Sequence, residues 1–295
     1  MSRIFLHLKQ QFLSQNAKVH ILVILGILFL VVFLVRFIYH SFMYVSTDDA
    51  FIEGHIIPIS AKVANHVDAV LVTDNQRVKR GEPLVQLDDR DFTVRLAMAQ
   101  AQLDAARAEA EQARRDVERY QKLSETDEIS KQQLDAALSR EAVTTAQVHD
   151  TTAQVEQAQL QLSYTLITAP MDGSVSRKEV EVGAYVKAGQ YLMALVAPKK
   201  WVVANFKETQ LTHLRPGQKV TITIDTYPGK VFTGHIDSIQ RGTGAQFSLL
   251  PPENATGNFV KVVQRIPVKI VFDDEPEKDY FLAVGMSVIP RVKIR

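Results

Sequence analysis

No cysteine occurs among the 295 residues, which excludes disulfides, thiolate nucleophiles, cysteine-based zinc sites and a lipidated N-terminal cysteine together. An excess of one charge is missing too. The 34 Lys and Arg stand against 33 Asp and Glu, a formal +1, so the footprint of a nucleic-acid binder is absent. The eight histidines are scattered, with no pair at metal-binding helical spacing. GTGAQF at Gly242 lacks a third glycine, and Gly229 with Lys230 is followed by valine outside any phosphate-loop context. Asp88, Asp89 and Asp91 stand where a helix begins, and carboxylates there complement the helix dipole rather than form a metal or acid–base site. No nucleophile stands with a base, so neither an enzyme nor a cofactor or metal site is expected.

What the chain does have is one extreme apolar run. ILVILGILFLVVFLV, from Ile21 to Val35, holds fourteen strongly apolar residues broken only by Gly26. With its flanks, residues 19–39 make roughly 30 Å of helix, enough to cross a hydrocarbon core. Fourteen such residues contribute roughly −4 to −8 kcal/mol to insertion. No small-residue cleavage pair follows the run, only RFIYHSFMYVS, so a retained anchor is favoured over a cleaved signal peptide. Arg3, Lys9 and Lys18 precede it and Asp48, Asp49 and Glu53 follow. The positive-inside rule then keeps the N-terminus cytoplasmic and places the bulk of the chain across the membrane, in a bacterium the periplasm.

Beyond the anchor a repeat occurs. In VDAVLVTDNQRVKRGEPLVQL (Val67 to Leu87) and VSRKEVEVGAYVKAGQYLMAL (Val175 to Leu195), the pairs Val67/Val175, Val72/Val180, Val78/Val186, Lys79/Lys187, Gly81/Gly189, Leu84/Leu192 and Leu87/Leu195 coincide. The spacing is that of short strands with a glycine turn, and each half is too small for its own core. Two such halves resemble the biotinyl/lipoyl carrier fold, a flattened sandwich with quasi-two-fold symmetry. In a carrier subunit a short turn bearing the modified lysine joins the halves. Here about eighty residues intervene, and Lys79 and Lys187 stand beside the glycine turns instead, as exposed turn charges. A carboxyl-carrier subunit is the reading from another class, which an intact mass without a biotin or lipoyl increment would exclude.

The intervening stretch reads as two long helices. Leu96, Ala99, Leu103, Ala106, Ala110, Ala113, Val117 and Tyr120 recur at alternating spacings of three and four, a coiled-coil seam whose small residues admit a close partner. Asp91/Arg95, Glu111/Arg115 and Glu118/Lys122 add acid-before-base pairs four residues apart. On the return, Leu134, Val148, Val155 and Leu162 keep a sevenfold register that Glu141 breaks and Thr144, Thr145, Thr151 and Thr152 dilute. Arms of this length project about 50 Å. A two-helix spike buries little surface, so oligomerisation is expected.

The tip, RYQKLSETDEIS, keeps Arg119, Leu123 and Ser130 at relative positions 0, +4 and +11. Local roles are open to all three: Arg119 pairing with Asp116 or Glu118, Leu123 closing the seam, and Ser130 capping the return helix with Gln133 at N3. Spacing alone favours these local roles; a docking role is open too, with Arg119 offering a fork of donors, Leu123 an apolar knob and Ser130 a hydroxyl. The order of anchor, half sandwich, hairpin, half sandwich and strand-rich end resembles the HlyD-type membrane fusion proteins, periplasmic adaptors of tripartite export pumps, over essentially the whole chain. Adaptors for TolC-like outer-membrane channels often carry Arg, Leu and Ser at the tip in this spacing. The resemblance therefore implies that Arg119, Leu123 and Ser130 dock the channel.

The end of the chain reads as short strands broken by turns. VTITID alternates, RPGQ and YPGK are turn tetrads, and RIPVKIVF and MSVIPRVKI supply further strands. A small β-barrel completed by the segment around Phe51 to Ala61 is expected. STDDAFIEGHIIPISAKV and GTGAQFSLLPPENATGNFVKVVQRIPVKI look like those of EmrA-like adaptors, paired with major-facilitator drug exporters, and of the related aromatic-acid efflux adaptors. Adaptors of resistance-nodulation-division pumps are typically lipoproteins with a further membrane-proximal domain.

The resulting expectation is a mainly β, multidomain chain with an α-helical coiled-coil hairpin, a transmembrane helix, a split lipoyl-like sandwich and a small β-barrel. Its divisions are a cytoplasmic tail (1–18), the transmembrane helix (19–39), a linker with the first barrel strand (46–62), the sandwich halves (63–90 and 164–199), the hairpin (91–163) and the barrel (200–295). The implied partners are an inner-membrane exporter, a TolC-like channel, further copies of the chain in a trimer or hexamer, and the membrane, with no nucleic acid. An adaptor for ATP-driven protein secretion is the close alternative, although those adaptors generally have much longer hairpins. A membrane-anchored coiled-coil scaffold without transport is the remaining one.

Overall fold

The computed structural model of the chain describes residues 25–32, 36, 43–126, 129–247, 262–274 and 279–294. Residues 25–32 are helical (α1) and exposed throughout. Apart from these and Arg36, the expected span 19–39 lies outside the described residues. Among the described residues no helix is long and apolar enough to cross a membrane. Two compact units form, His55–Pro198 and Met1–Gly54 with Lys199–Arg295. Strands β2 (Ala50–Ser60) and β9 (Tyr191–Lys207) contribute residues to both.

In the first unit β3 (Asn65–Val70), β5 (Pro83–Leu87), β6 (Leu166–Thr168) and β8 (Tyr185–Val186) pair in the order β6-β5-β3-β8. The short strands β4 (Arg77–Val78) and β7 (Gly173–Ser176) pair with each other, and β7 continues onto β9. All ten valines and leucines of the seven matched pairs are buried in one core. Their backbone bonds are exchanged between the halves. Val67 N–H donates to Ala184 O (2.8 Å) and Val175 N–H to Gln76 O (2.9 Å); Gly81 N–H donates to Ala169 O and Gly189 N–H to Ala61 O, both 2.8 Å. Each bond is the counterpart of the other at the same offset along the chain, the signature of a quasi-two-fold axis. Gly81 and Gly189 take the same left-handed conformation, φ +82° and +83°, which an L side chain rarely adopts. The amides of Lys79 and Lys187 are held by Glu82 Oε2 (2.8 Å) and Gln190 Oε1 (2.9 Å), and both residues are exposed.

Between the halves run α2 (Arg90–Ser124) and α3 (Lys131–Ser163). Every seam position expected on α2 is buried or half-buried, with Ala99, Leu103, Ala106, Ala113 and Val117 the most enclosed. On α3 Thr152 and Gln161 are half-buried beside a row of shielded positions, Leu134, Ala137, Glu141, Thr144, Val148, Thr151, Val155, Ala158 and Leu162. That row is an unbroken three–four alternation, so Thr144 and Thr151 belong to the seam rather than diluting it. Their hydroxyls bond back to Arg140 O (3.0 Å) and Gln147 O (3.0 Å), which lets a polar side chain face the partner helix without an orphaned donor.

In the second unit the antiparallel order is β1 (Tyr44–Ser46), β13 (Val288–Lys293), β10 (Lys219–Ile224), β11 (Val231–Ile239), β12 (Arg265–Phe272) and β9, with β2 paired to β9. The residues around Phe51 close the small barrel: Phe51 bridges Ser287, Ile52 N–H donates to Met286 O (2.9 Å) and Gly285 N–H returns to Ile52 O (2.7 Å). The alternation of β10 sends Val220, Ile222 and Ile224 into a core with Ile52, Phe206 and Ile270, leaving its threonines on the outer face.

Candidate functional site

The hairpin is fixed at its root by a compact polar arrangement. Asp89 occupies the N-cap of α2 but makes no side-chain cap bond. Asp88 supplies the carboxylate instead: its Oδ1 accepts the Arg90 N–H (3.1 Å) and its Oδ2 meets the Arg90 guanidinium at 2.5 Å. The Arg90 hydrogen bonds hold the Asp88 carboxyl down at about 2, well below the ordinary carboxylate range. Asp88 N–H donates to His66 O, Leu87 N–H to Thr165 O, and the Asn65 amide to Asp88 O. The two helices therefore leave the sandwich from a backbone already bonded on both sides.

Along α2 the surface charges settle differently from the simple four-residue pairing. Glu111 does meet Arg115 (3.0 Å), with Arg114 also at 3.2 Å. These guanidinium bonds lower the Glu111 carboxyl. Glu118 turns back to Arg114 (3.8 Å) rather than on to Lys122, and Arg95 lies over the Phe92 ring.

At the tip, Arg119 is exposed and pairs with Asp116 at 3.2 Å. Leu123, one turn on, is half-buried, and its carbonyl accepts both the Thr126 N–H (3.3 Å) and the Thr126 hydroxyl (3.0 Å), closing the helix. Lys122 in the last turn complements the dipole. Ser130 is exposed and forms a full capping box: Gln133 N–H donates to Ser130 Oγ (3.3 Å), and Ser130 N–H donates to Gln133 Oε1 (3.1 Å). Residues 127 and 128 lie outside the described residues. The local roles open to Arg119 and Ser130 are thus filled, and both keep solvent-facing groups.

Sequence reasoning missed one constellation. Asp49, read only as a charge beyond the membrane run, meets Arg265 on β12 (3.0 Å) and accepts from the Asn205 amide on β9 (3.0 Å), while the buried Thr47 hydroxyl donates to Asn205 O (2.9 Å). Glu53 accepts from the Trp201 indole at 3.0 Å. These contacts join residues between 148 and 216 positions apart and carry no local signal beyond an acidic pair. Among the described residues no group of three ligating side chains could hold a metal ion.

Comparison with known proteins places both helical and barrel regions. Residues 95–165 match the model for the "RND MFP, alpha-helical hairpin domain", and residues 200–292 match that for the "AAEA-like beta-barrel domain". The multidrug export protein EmrA of Haemophilus influenzae is 35% identical over 296 residues, 84% of this chain and 76% of its own length. The chain belongs to the EmrA family of membrane fusion proteins. A second relative within that family, the colistin resistance protein EmrA of Acinetobacter baumannii, is 31% identical over 91% of this chain and 92% of its own. Among solved structures, a MacA–MexA chimera carrying the Pseudomonas aeruginosa MexA α-hairpin superposes with a TM-score of 0.64 at 26% identity, over 86% of this chain and 81% of the chimera. The EmrA-family chain thus combines a hairpin of the type described for RND membrane fusion proteins with an AAEA-like barrel.

Proposed function

We propose that this EmrA-family chain is the periplasmic adaptor of a tripartite multidrug efflux pump. Residues 19–39 anchor it in the bacterial inner membrane with the N-terminus cytoplasmic, and the split sandwich serves as a lipoyl-like collar from which the hairpin projects. The barrel side serves an inner-membrane exporter of the major-facilitator type, and the tip engages a TolC-like outer-membrane channel through Arg119, Leu123 and Ser130. The cargo is drugs or small hydrophobic and aromatic toxins, and three or six copies surround the path.

The observation that carries the docking reading is the exposed side chain of Arg119, 63% accessible although already paired. An isolated surface ion pair contributes only about 0–1 kcal/mol, so the guanidinium is free to exchange Asp116 for carbonyls or a carboxylate on a partner. The half-buried Leu123 beside it and the exposed Ser130 offer an apolar and a hydroxyl contact on the same tip. A photocrosslinking residue at position 123 in cells tests this. Capture of an outer-membrane channel is expected; capture of other copies of this chain alone would overturn the docking role.

A further inference from the structure

The outward face formed by β1, β13 and β10 carries an unusual charge distribution. Burial alternates along β13, with Val288, Pro290 and Val292 inward and Arg291 and Lys293 exposed; on β10 Lys219 is exposed as well. The antiparallel register sets Arg291 between Ser46 and Thr221, and sets Lys293 against Tyr44. Continuing the Val220–Val292 register by one residue brings Lys219 opposite Lys293. Like charges opposed across strands destabilise the pair. No outward position on these three strands is acidic, and among the described residues none of the three cations is in an ion pair. On the next strand His235, opposite Lys219, is already engaged by Asp273 at 2.6 Å, and Asp237 follows two residues later.

We infer that this face seats on anionic phospholipid headgroups. Three cations set among the hydroxyls of Ser46, Thr221 and Thr233 match phosphate oxygens in both charge and donors. The chain supplies the proximity: only four residues lie between Tyr39, the end of the expected span, and Tyr44 at the start of β1, and the five steps of chain limit β1 to about 18 Å from the bilayer surface. The inference rests on the anchor reading of residues 19–39. A lipid surface is favoured over an acidic protein partner because the basic face begins at the strand that this tether delivers.

The absence of cysteine allows a single fluorophore at Thr223→Cys, on the same outward face but not among those hydroxyls, in the full-length chain, reconstituted into vesicles of phosphatidylcholine alone or with phosphatidylglycerol added, each holding a headgroup-nitroxide lipid. Quenching is expected to rise with the anionic lipid and to fall with salt. Each cation contributes about fivefold to headgroup attraction, so Lys219→Gln, Arg291→Gln and Lys293→Gln together lower the docked-to-free ratio about 100-fold. Emission of Trp201 reports that the barrel is intact in that variant. Equal quenching in both vesicles, no effect of the triple variant, or quenching that needs a co-reconstituted exporter would each overturn the inference. Vesicle flotation separates the two readings: a chain that does not float removes the anchor and this inference with it, whereas one that floats without charge-dependent quenching removes this inference alone.

Discussion

Reversing the charge of Arg119 separates the architecture of the tip from its use. In Arg119→Asp the hairpin loses a pair with Asp116 measured at 3.2 Å, worth about 0.2–0.5 kcal/mol on a helix, and gains a like-charge contact of similar size. An acid near the C-terminal end of α2 costs about 0.3–1 kcal/mol more against the dipole. The total loss is therefore about 1–2 kcal/mol and is confined to the last turns, because the seam residues Ala113 and Val117 are untouched. A charge removed from a desolvated contact costs about 2–5 kcal/mol, a loss of roughly 30-fold or more in channel engagement. The assays are hydrogen exchange along α2, oligomer size, and drug tolerance of cells. Faster exchange limited to the tip, unchanged assembly and lost efflux are expected. Wild-type efflux would refute the docking assignment, and collapse of protection down to the root would refute the claim that Arg119 is structurally minor.

Other consequences are equally open to measurement. Ser130→Ala removes the capping bond to Gln133 and costs about 1 kcal/mol, seen as faster amide exchange in the first turn of α3, whereas Ser130→Asp preserves protection there. Thr151→Val exchanges a buried hydroxyl that only bonds back to its own helix for a methyl group; by about 0.5–1 kcal/mol of added apolar burial it slows exchange in mid-hairpin, and faster exchange would show that the hydroxyl has a cross-helix role. Because the folded Asp88 carboxyl lies at about 2, below its ordinary 3.8, its contribution is complete above about pH 4 and is lost as the pH falls from there towards 2. In Asp88→Asn the root of the hairpin loses that acid dependence, which chemical denaturation followed by helical ellipticity across this range detects.

The legibility of the chain varied with how local its determinants are. The α2 seam was open to inspection because alanine, leucine and valine mark it directly. Its partner was not, because Glu141, Thr144 and Thr151 look polar on paper, and the two threonines face the opposite helix only because their hydroxyls bond back to the preceding turn. The sandwich halves announced themselves through matched valines and leucines, although the exchange of backbone bonds between them appears only in three dimensions. At the root, the carboxylates of Asp88, Asp89 and Asp91 could be seen to stand where a helix begins, but not that Asp88, outside the N-cap position, would bond both the amide and the guanidinium of Arg90. Asp49 was harder still: its partners Asn205 and Arg265 are supplied by strands far along the chain, and no periodicity points to them.

The exchanged bonds of the sandwich have a consequence for biogenesis. Strands of the first half cannot complete their pairing until the second half has been synthesised, so Val67, Val72 and Leu84 are without their final neighbours while the hairpin emerges. At about 5–20 residues per second that interval lasts several seconds. The hairpin, whose contacts lie within one helical pair, then acts as a clamp. Once it zips from tip to root, Leu87 and Thr165, roughly eighty residues apart along the chain, stand together, and the loop-closure cost that an unstructured linker would impose falls by about 2–3 kcal/mol. The segment that reaches outward in the finished molecule is, during synthesis, the splint that brings the severed halves into register.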